Sequence, residues 1–271
     1  MRRAAVLAAL LVAALSGHAL AQAGAAPQRV VSLAPHLTEL ACAVGACDRL
    51  VGVSAYSDYP PQVRRLPQVS DATTVNLEAV LGLKPDLVLA WDGGTPPDTV
   101  ARLRGLGLRV EPLRVRGLED VADALEHAGV LLQHEAQAKA AARNYRTRLE
   151  QLRARWRGAS PIRAVYQIET GPAYSINRDS PISEAISLCG GVNVFAGLPT
   201  LAAPVSAEAM LAARPEAVLF GGEENAQAIH DYWARLGGAP AARLGNLYPV
   251  DANLLARAAP RLLDGVEQVC A

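Results

Sequence analysis

The chain has 271 residues with 26 basic and 26 acidic side chains and 51% hydrophobic content, enough apolar material for one large core or two smaller ones and too much for global disorder. Such a charge balance offers no basic surface for nucleic acid, which is not expected as a partner.

Arg2 and Arg3 precede an apolar run from Ala4 to Leu15, and Ala19-Leu20-Ala21 supplies a small-x-small cleavage site. This pattern predicts a secretory signal peptide over residues 1–21. The run is shorter than the roughly 20 apolar residues that a membrane span needs, and no cysteine stands at the cleavage site to take a lipid, so a soluble exported chain is expected. Removing the segment takes away only Arg2 and Arg3, leaving 24 basic against 26 acidic residues.

From Arg29 onward, strand and helix alternate as in a parallel sheet. RVVSLAP reads as a strand, HLTELACAVGA as a helix and RLVGVSAY as a second strand. Asn76 to Gly82 and Leu87 to Trp91 form the next helix-strand pair, TVARLRGLG and LRVEPL another, and LEDVADALEHAG a closing helix. Together they predict an N-terminal α/β lobe over residues 28–130. Apolar or small residues at 138, 141, 142, 145, 149, 152 and 156 then mark one helix over 134–157, about 35 Å long at 1.5 Å per residue. It reads as a rigid strut between lobes, in place of the flexible strands that allow wide hinge closure. A C-terminal α/β lobe is expected over 161–271: a strand at IRAVYQIE, a helix at ISEAISLCGG, a helix-strand unit from Ser206 to Gly221, a helix at HDYWARLGG, a strand at ARLGNLYPV and a last helix from about Pro260 to Val269. The fold class is thus α/β, with two Rossmann-like lobes whose parallel-rich sheets are joined by a single long α-helix.

One unit occurs twice. NLEAVLGLKPDLVLAW from Asn76 and SAEAMLAARPEAVLFG from Ser206 lie 130 residues apart and agree at six of sixteen positions, with Glu78 matched to Glu208. Each has an N-cap residue, an acid two positions on, a basic last turn, a Pro stop and a short apolar strand. Taken alone, each Glu simply favours its helix N-terminus. Gly93-Gly94 and Gly221-Gly222 follow the strand in each copy, where open α/β sheets bring backbone close to ligands.

Phosphate-loop patterns (GxGxxG, GxxxxGK[ST]) and the GxSxG nucleophile pattern are absent, and no HxH or HxxxH spacing marks a metal site. His36, just past the first strand, reads as a solvated helix N-terminal residue, with contact to a bound metal centre as the alternative. Aromatics are only 4% of the chain, yet Tyr56, Tyr59, Trp91 and Tyr174 fall near strand ends, which suits an apolar, hydrogen-bonding ligand held between lobes. Four cysteines allow three complete pairings. Cys189 with Cys270 would close a long loop, and Cys42 with Cys47 could pair only if the helix stops at Gly45.

The blocks VVSLAPHLTEL, GVSAYSDYPPQV, NLEAVLGLKPDLVLAW with its Gly pair, ISEAISLCGGVNVF, VSAEAML and ARAAPR with VEQVC together resemble the periplasmic cobalamin-binding proteins that feed an ABC importer. They are substrate-binding proteins whose two α/β lobes are joined by one long helix. The resemblance spans nearly the whole mature chain. It implies a periplasmic, monomeric carrier without catalysis, cofactor or resident metal, which captures a corrinoid and delivers it to a permease dimer. By position, Tyr56 resembles the ligand-stacking tyrosine, Trp91 the tryptophan before the Gly pair, and Tyr174 an aromatic pocket residue. Asn253, Leu254, Leu255, Ala256 and Arg257 match a ligand-contacting segment, although NLLAR replaces an acidic-aromatic version and Asn253 an Asp. The pocket Trp before the VSxE block is missing, with Ala202 or its neighbours in its place. Glu78 and Glu208 match the carboxylates that meet the permease, and Cys189 and Cys270 match the family disulfide. A haem or iron-siderophore carrier on the same scaffold is the second expectation, and an exported α/β enzyme the third.

Overall fold

The computed structural model describes residues 25–71, 74–222 and 226–271; the expected signal peptide at 1–21 lies outside the described residues. The first half builds a five-stranded sheet from β1 (Val30–Ser32), β2 (Leu50–Ser54), β3 (Gln68–Ser70), β4 (Leu87–Trp91) and β5 (Val110–Leu113), ordered β3-β2-β1-β4-β5. The second half builds a four-stranded sheet from β6 (Ile162–Gln167), β8 (Gly191–Asn193), β10 (Ala217–Gly221) and β11 (Leu247–Val250), ordered β11-β10-β6-β8. The strand neighbours in both sheets run parallel. A separate antiparallel ribbon pairs β7 (Tyr174–Ile176) with β9 (Ala202–Pro204).

Helices α1 (Pro35–Ala43), α2 (Leu77–Gly82), α3 (Pro97–Gly105) and α4 (Asp120–Leu132) complete the first lobe, and α6 (Pro181–Leu188), α7 (Ala207–Ala213), α8 (Ala226–Leu236), α9 (Pro240–Leu244), α10 (Ala252–Leu255) and α11 (Leu262–Cys270) the second. Between them runs α5 (Glu135–Arg155), slightly shorter than the sequence pattern suggests. It buries Ala138, Ala142, Tyr145, Leu149 and Leu152, alternate steps of three and four that give a narrow apolar stripe. Gly129 on α4 lets the two helices close, since a Cβ there would collide with that of Ala138. Ion pairs tie α5 to both halves: Arg146 meets Glu119, Asp123 and Glu126, while Arg148 meets Asp264 and Glu267. These pairs are half-exposed, so each contributes only about 0–1 kcal/mol.

One stretch departs from expectation. Residues 242–250 read as a strand, but Pro240–Leu244 is a short helix that stops at Gly245 with φ of 73°, and the strand begins at Leu247. Proline at the first helical turn and a left-handed glycine after the last override the apolar run.

The repeat is structural down to its details. The burial classes of residues 76–91 and 206–221 agree at all sixteen positions. Asn76 and Ser206 cap their helices by accepting from Ala79 N at 3.0 Å and Ala209 N at 3.2 Å. Lys84 and Arg214 both adopt positive φ, 47° and 46°, the conformation that ends each helix before its proline. The likeness extends beyond the sixteen residues. Arg29 donates to Leu83 O, and Arg163 to Ala213 O; Asp86 accepts from Arg29 N, and Glu216 from Arg163 N. Each half thus pins its helix C-terminus to an arginine at the start of its first strand, just before β1 or second in β6.

Candidate ligand-binding site

Both parallel sheets present their carboxyl ends to a cleft between the halves, the position at which such sheets bind ligands. Its centre is Trp91, the last residue of β4. Gly93 takes φ of 107°, and a Cβ on Gly94 would overlap the Trp91 ring. The glycine pair therefore turns the chain and then clears room for that ring against the backbone. Thr95 completes the turn, its hydroxyl accepting from Trp91 N at 3.0 Å and its N–H donating to Trp91 O at 2.9 Å.

Trp91 lines two adjoining cavities. The larger, about 430 Å³, lies between the lobes: His36 and Val115 contribute from the first, Ile168, Ile176, Ile182, Leu201, Ala202, Leu255 and Ala256 from the second. The smaller, about 210 Å³, is a groove in the first lobe lined by Tyr56, Pro35, Ala55, Val75 and Pro96. Sizes and mostly apolar walls of this kind suit a bulky organic ligand. Tyr56 follows β2 with φ of 63° and leaves 73% of its surface exposed. A bulky residue with positive φ is an outlier, and such strain concentrates at ligand clamps. A hydroxyl chain fixes the next residue, with Ser57 Oγ 3.0 Å from Ser54 Oγ and 3.1 Å from Thr38 Oγ1.

The other expected residues divide. Tyr174 is half-buried on β7, two residues before the cavity-lining Ile176 and hence on the same side of the ribbon, but it is not among the cavity walls. Leu255 and Ala256 face the interlobe cavity, whereas Asn253 faces a separate polar depression with Asp251 and Gln268. Leu254 is half-buried on α10 and lines neither cavity. Arg257 is buried, and its guanidinium is directed at protein: it donates to Asp58 Oδ1, to Asn253 Oδ1 at 2.7 Å and to Glu39 Oε1 at 3.4 Å. Burial pushes the Asp58 carboxyl up, but the hydrogen bond and charge of Arg257, with Arg64, outweigh it and hold the group below its ordinary value.

His36 corrects the expectation of a solvated side chain. It is 5% exposed, its Nε2 has no hydrogen-bond partner among the described residues, and Trp91 meets it edge-on at 5.2 Å between centroids. Burial lowers its pKa from 6.5 to about 4, so it is neutral at pH 7.

Glu78 and Glu208 are exposed in the first turns of α2 and α7, one on each lobe. The Glu208 carboxyl is held below its usual range by its own backbone N–H and by Ser206. Disulfides join Cys42 to Cys47 and Cys189 to Cys270, with Cα atoms 4.1 and 4.9 Å apart. The first forms because α1 stops at Ala43 and Gly45 takes φ of 89°. Within the CGGVNVF block, Asn193 donates to Ile176 O and Ser183 Oγ and accepts from Phe195 N, tying β8 to the ribbon and to α6. Of the apolar walls, Ile168 fell inside the expected strand IRAVYQIE but lies just past the end of β6, and Leu201, a single loop residue, carried no sequence signal. Glu39 and Arg261 lie within the VVSLAPHLTEL and ARAAPR blocks, but no local pattern marks either as a site residue.

Comparison with known proteins adds to this geometry. The chain is 39% identical over 243 residues to the vitamin B12-binding protein of Vibrio cholerae, covering 90% of this chain and 88% of that one. It is 37% identical over 247 residues to the vitamin B12-binding protein of Photorhabdus laumondii, covering 91% and 88%. Among solved structures, the periplasmic vitamin B12 binding protein BtuF of Vibrio cholerae matches with a TM-score of 0.84 at 38% identity, over 90% of this chain and 95% of that one. A periplasmic heme binding protein from Pseudomonas aeruginosa matches with a TM-score of 0.80 at 30% identity, over 90% and 92%. The family of periplasmic binding proteins matches residues 30–254, which takes in both sheets, the long helix and all of the cleft but its Leu255–Ala258 wall. The chain belongs to the periplasmic binding protein family, a family of carriers rather than enzymes.

Proposed function

We propose that this protein captures cobalamin or a related corrinoid between its lobes in the periplasm and, as a monomer, delivers it to an ABC-type permease dimer. The observation that carries the reading is the Trp91 cleft: an interlobe cavity of about 430 Å³ with an adjoining groove walled by Tyr56, in a chain more than a third identical to vitamin B12-binding proteins. Tyr56 and Trp91 stack on the ligand, Leu255 and Ala256 contribute apolar wall, and Tyr174 and Asn253 stand at the margins. Leu254 and Arg257 act by supporting this wall.

The same scaffold is shared by a periplasmic heme binding protein from Pseudomonas aeruginosa. Haem brings two propionates that want cations, and among the described residues of the interlobe cavity Arg116 is the one cation. A corrinoid, whose side arms are largely amides, asks for no such pair. Calorimetry against cobalamin, cobinamide and haem tests the proposal: tight corrinoid binding supports it, and binding of haem alone refutes it.

Delivery follows from the duplication. Glu78 and Glu208 stand on equivalent turns of two equivalent units, so a pseudo-twofold carrier meets a twofold permease with one carboxylate per subunit. Exposed ion pairs give about 0–1 kcal/mol each, so these acids set orientation and encounter more than affinity.

A further inference from the structure

The cleft has a charged seam beside it that belongs to no ligand wall. Glu39 on α1 is 4% exposed. Arg261 grips it through both oxygens, Nε to Oε2 at 3.0 Å and Nη2 to Oε1 at 2.7 Å, the paired geometry that makes guanidinium-carboxylate contacts strong. The Arg261 guanidinium also sits 3.7 Å from the centroid of the Tyr59 ring, within cation-π range. Arg257 completes the seam by pairing with Asp58 and Glu39. Both arginines come from the second lobe, while Glu39, Asp58 and Tyr59 come from the first. Asp58 and Tyr59 are the second and third residues after Tyr56.

We infer that Arg257, Arg261, Glu39 and Asp58 form an interlobe clamp that positions the Tyr56 loop, so that one lobe sets the stacking surface of the other. Resting on the ligand reading above, the inference assigns Arg257 and Asp58 as positioning residues that act through Tyr56. Three observations converge on it. Tyr56 holds a backbone conformation that a bulky residue does not keep unaided. Its ring is mostly exposed, so packing of the ring itself does not hold it. Ser57 is tied within the first lobe, but the side chains of the next two residues, Asp58 and Tyr59, are held by arginines of the other lobe, whose same segment supplies Leu255 and Ala256 to the cavity.

Asp58→Asn is the test, because it keeps shape, removes charge and touches neither cavity. In the ligand-free protein, amide exchange over residues 56–59 should quicken in Asp58→Asn and return towards wild type in Asp58→Glu, with the global unfolding transition retained. Cobalamin affinity should fall by about two-fold to ten-fold, no more than Tyr56→Ala loses, since stacked aromatic contacts are of that size. In a Tyr56→Ala background the same substitution should change affinity no further. Equal losses in both backgrounds would show that Asp58 acts on the ligand by another route and would overturn the clamp. Unchanged exchange in Asp58→Asn would overturn it too. Should the wild-type protein bind no corrinoid, the function proposed above fails, and the exchange measurement alone still decides whether the seam holds the loop.

Discussion

Replacing His36 by Phe should remove a measurable part of the acid sensitivity of folding. His36 is neutral in the folded protein because burial against Trp91 lowers its pKa to about 4, while the unfolded chain titrates at 6.5. Between those values the unfolded state binds the extra proton, so stability is fully present above pH 6.5 and is lost as pH falls towards 4. Each tenfold change in proton affinity corresponds to 1.36 kcal/mol, giving a loss of about 2 kcal/mol between pH 7 and pH 5 and about 3 kcal/mol once pH 4 is passed. Phe keeps a flat ring beside Trp91 and carries no proton. The assay is urea unfolding at pH 7 and pH 5 for both proteins, with slopes compared to check that the same surface is exposed. Asp58 does not confuse the result, since its carboxyl is held below 3.8 and titrates outside this window. The expected result is a pH-dependent loss about 2 kcal/mol smaller in His36→Phe than in wild type. Equal losses in the two would refute the assignment of a buried, unprotonated imidazole.

Tyr56→Ala and Trp91→Ala should each weaken corrinoid binding by about 0.5–1.5 kcal/mol beyond the lost area, read by calorimetry; unchanged affinity in both would remove the proposed pocket. Gly94→Ala should lower affinity much as Trp91→Ala does, because the new methyl occupies the space of the indole, and the displacement should show in tryptophan fluorescence. Cys189→Ser opens a loop of 81 residues and should cost about 4–5 kcal/mol, against about 2 for the five-residue loop of Cys42→Ser, measured as unfolding free energies. Glu78→Gln with Glu208→Gln should leave corrinoid binding intact and reduce transport into permease-containing vesicles, more than either change alone; wild-type transport would reduce both acids to helix-terminal charges.

What the sequence made legible was local chemistry. The duplicated unit could be seen because its caps, its proline stop and its apolar strand lie within sixteen residues, and the long helix because its stripe repeats over five turns. The ribbon of β7 and β9 and the short β8 could not, since three-residue strands carry no alternation and exist only through distant partners. The Pro240–Leu244 helix was legible in its proline and glycine but was masked by the apolar residues that follow. In the cleft, Trp91 and Tyr56 were visible as rings at strand ends. The partners of Arg257 were not, because its carboxylates lie 199 and 218 residues away and nothing in a linear pattern couples them. His36 was misjudged for the same reason: the ring that meets it, Trp91, lies 55 residues further along the chain.

The stripe along α5 carries a thermodynamic consequence. Ala138, Ala142, Tyr145, Leu149 and Leu152 lie in one continuous apolar cluster with Leu37, Leu40, Leu87 and Leu89 from the first half and Ile182, Ile186, Leu263 and Val266 from the second. Two bodies connected by a strut through solvent would melt separately. Here the strut is itself core, so neither half can lose its packing without stripping the helix that the other half also needs. Although each half also has a core cluster of its own, this shared one couples their folding, and the ligand is held between two surfaces linked through one apolar cluster.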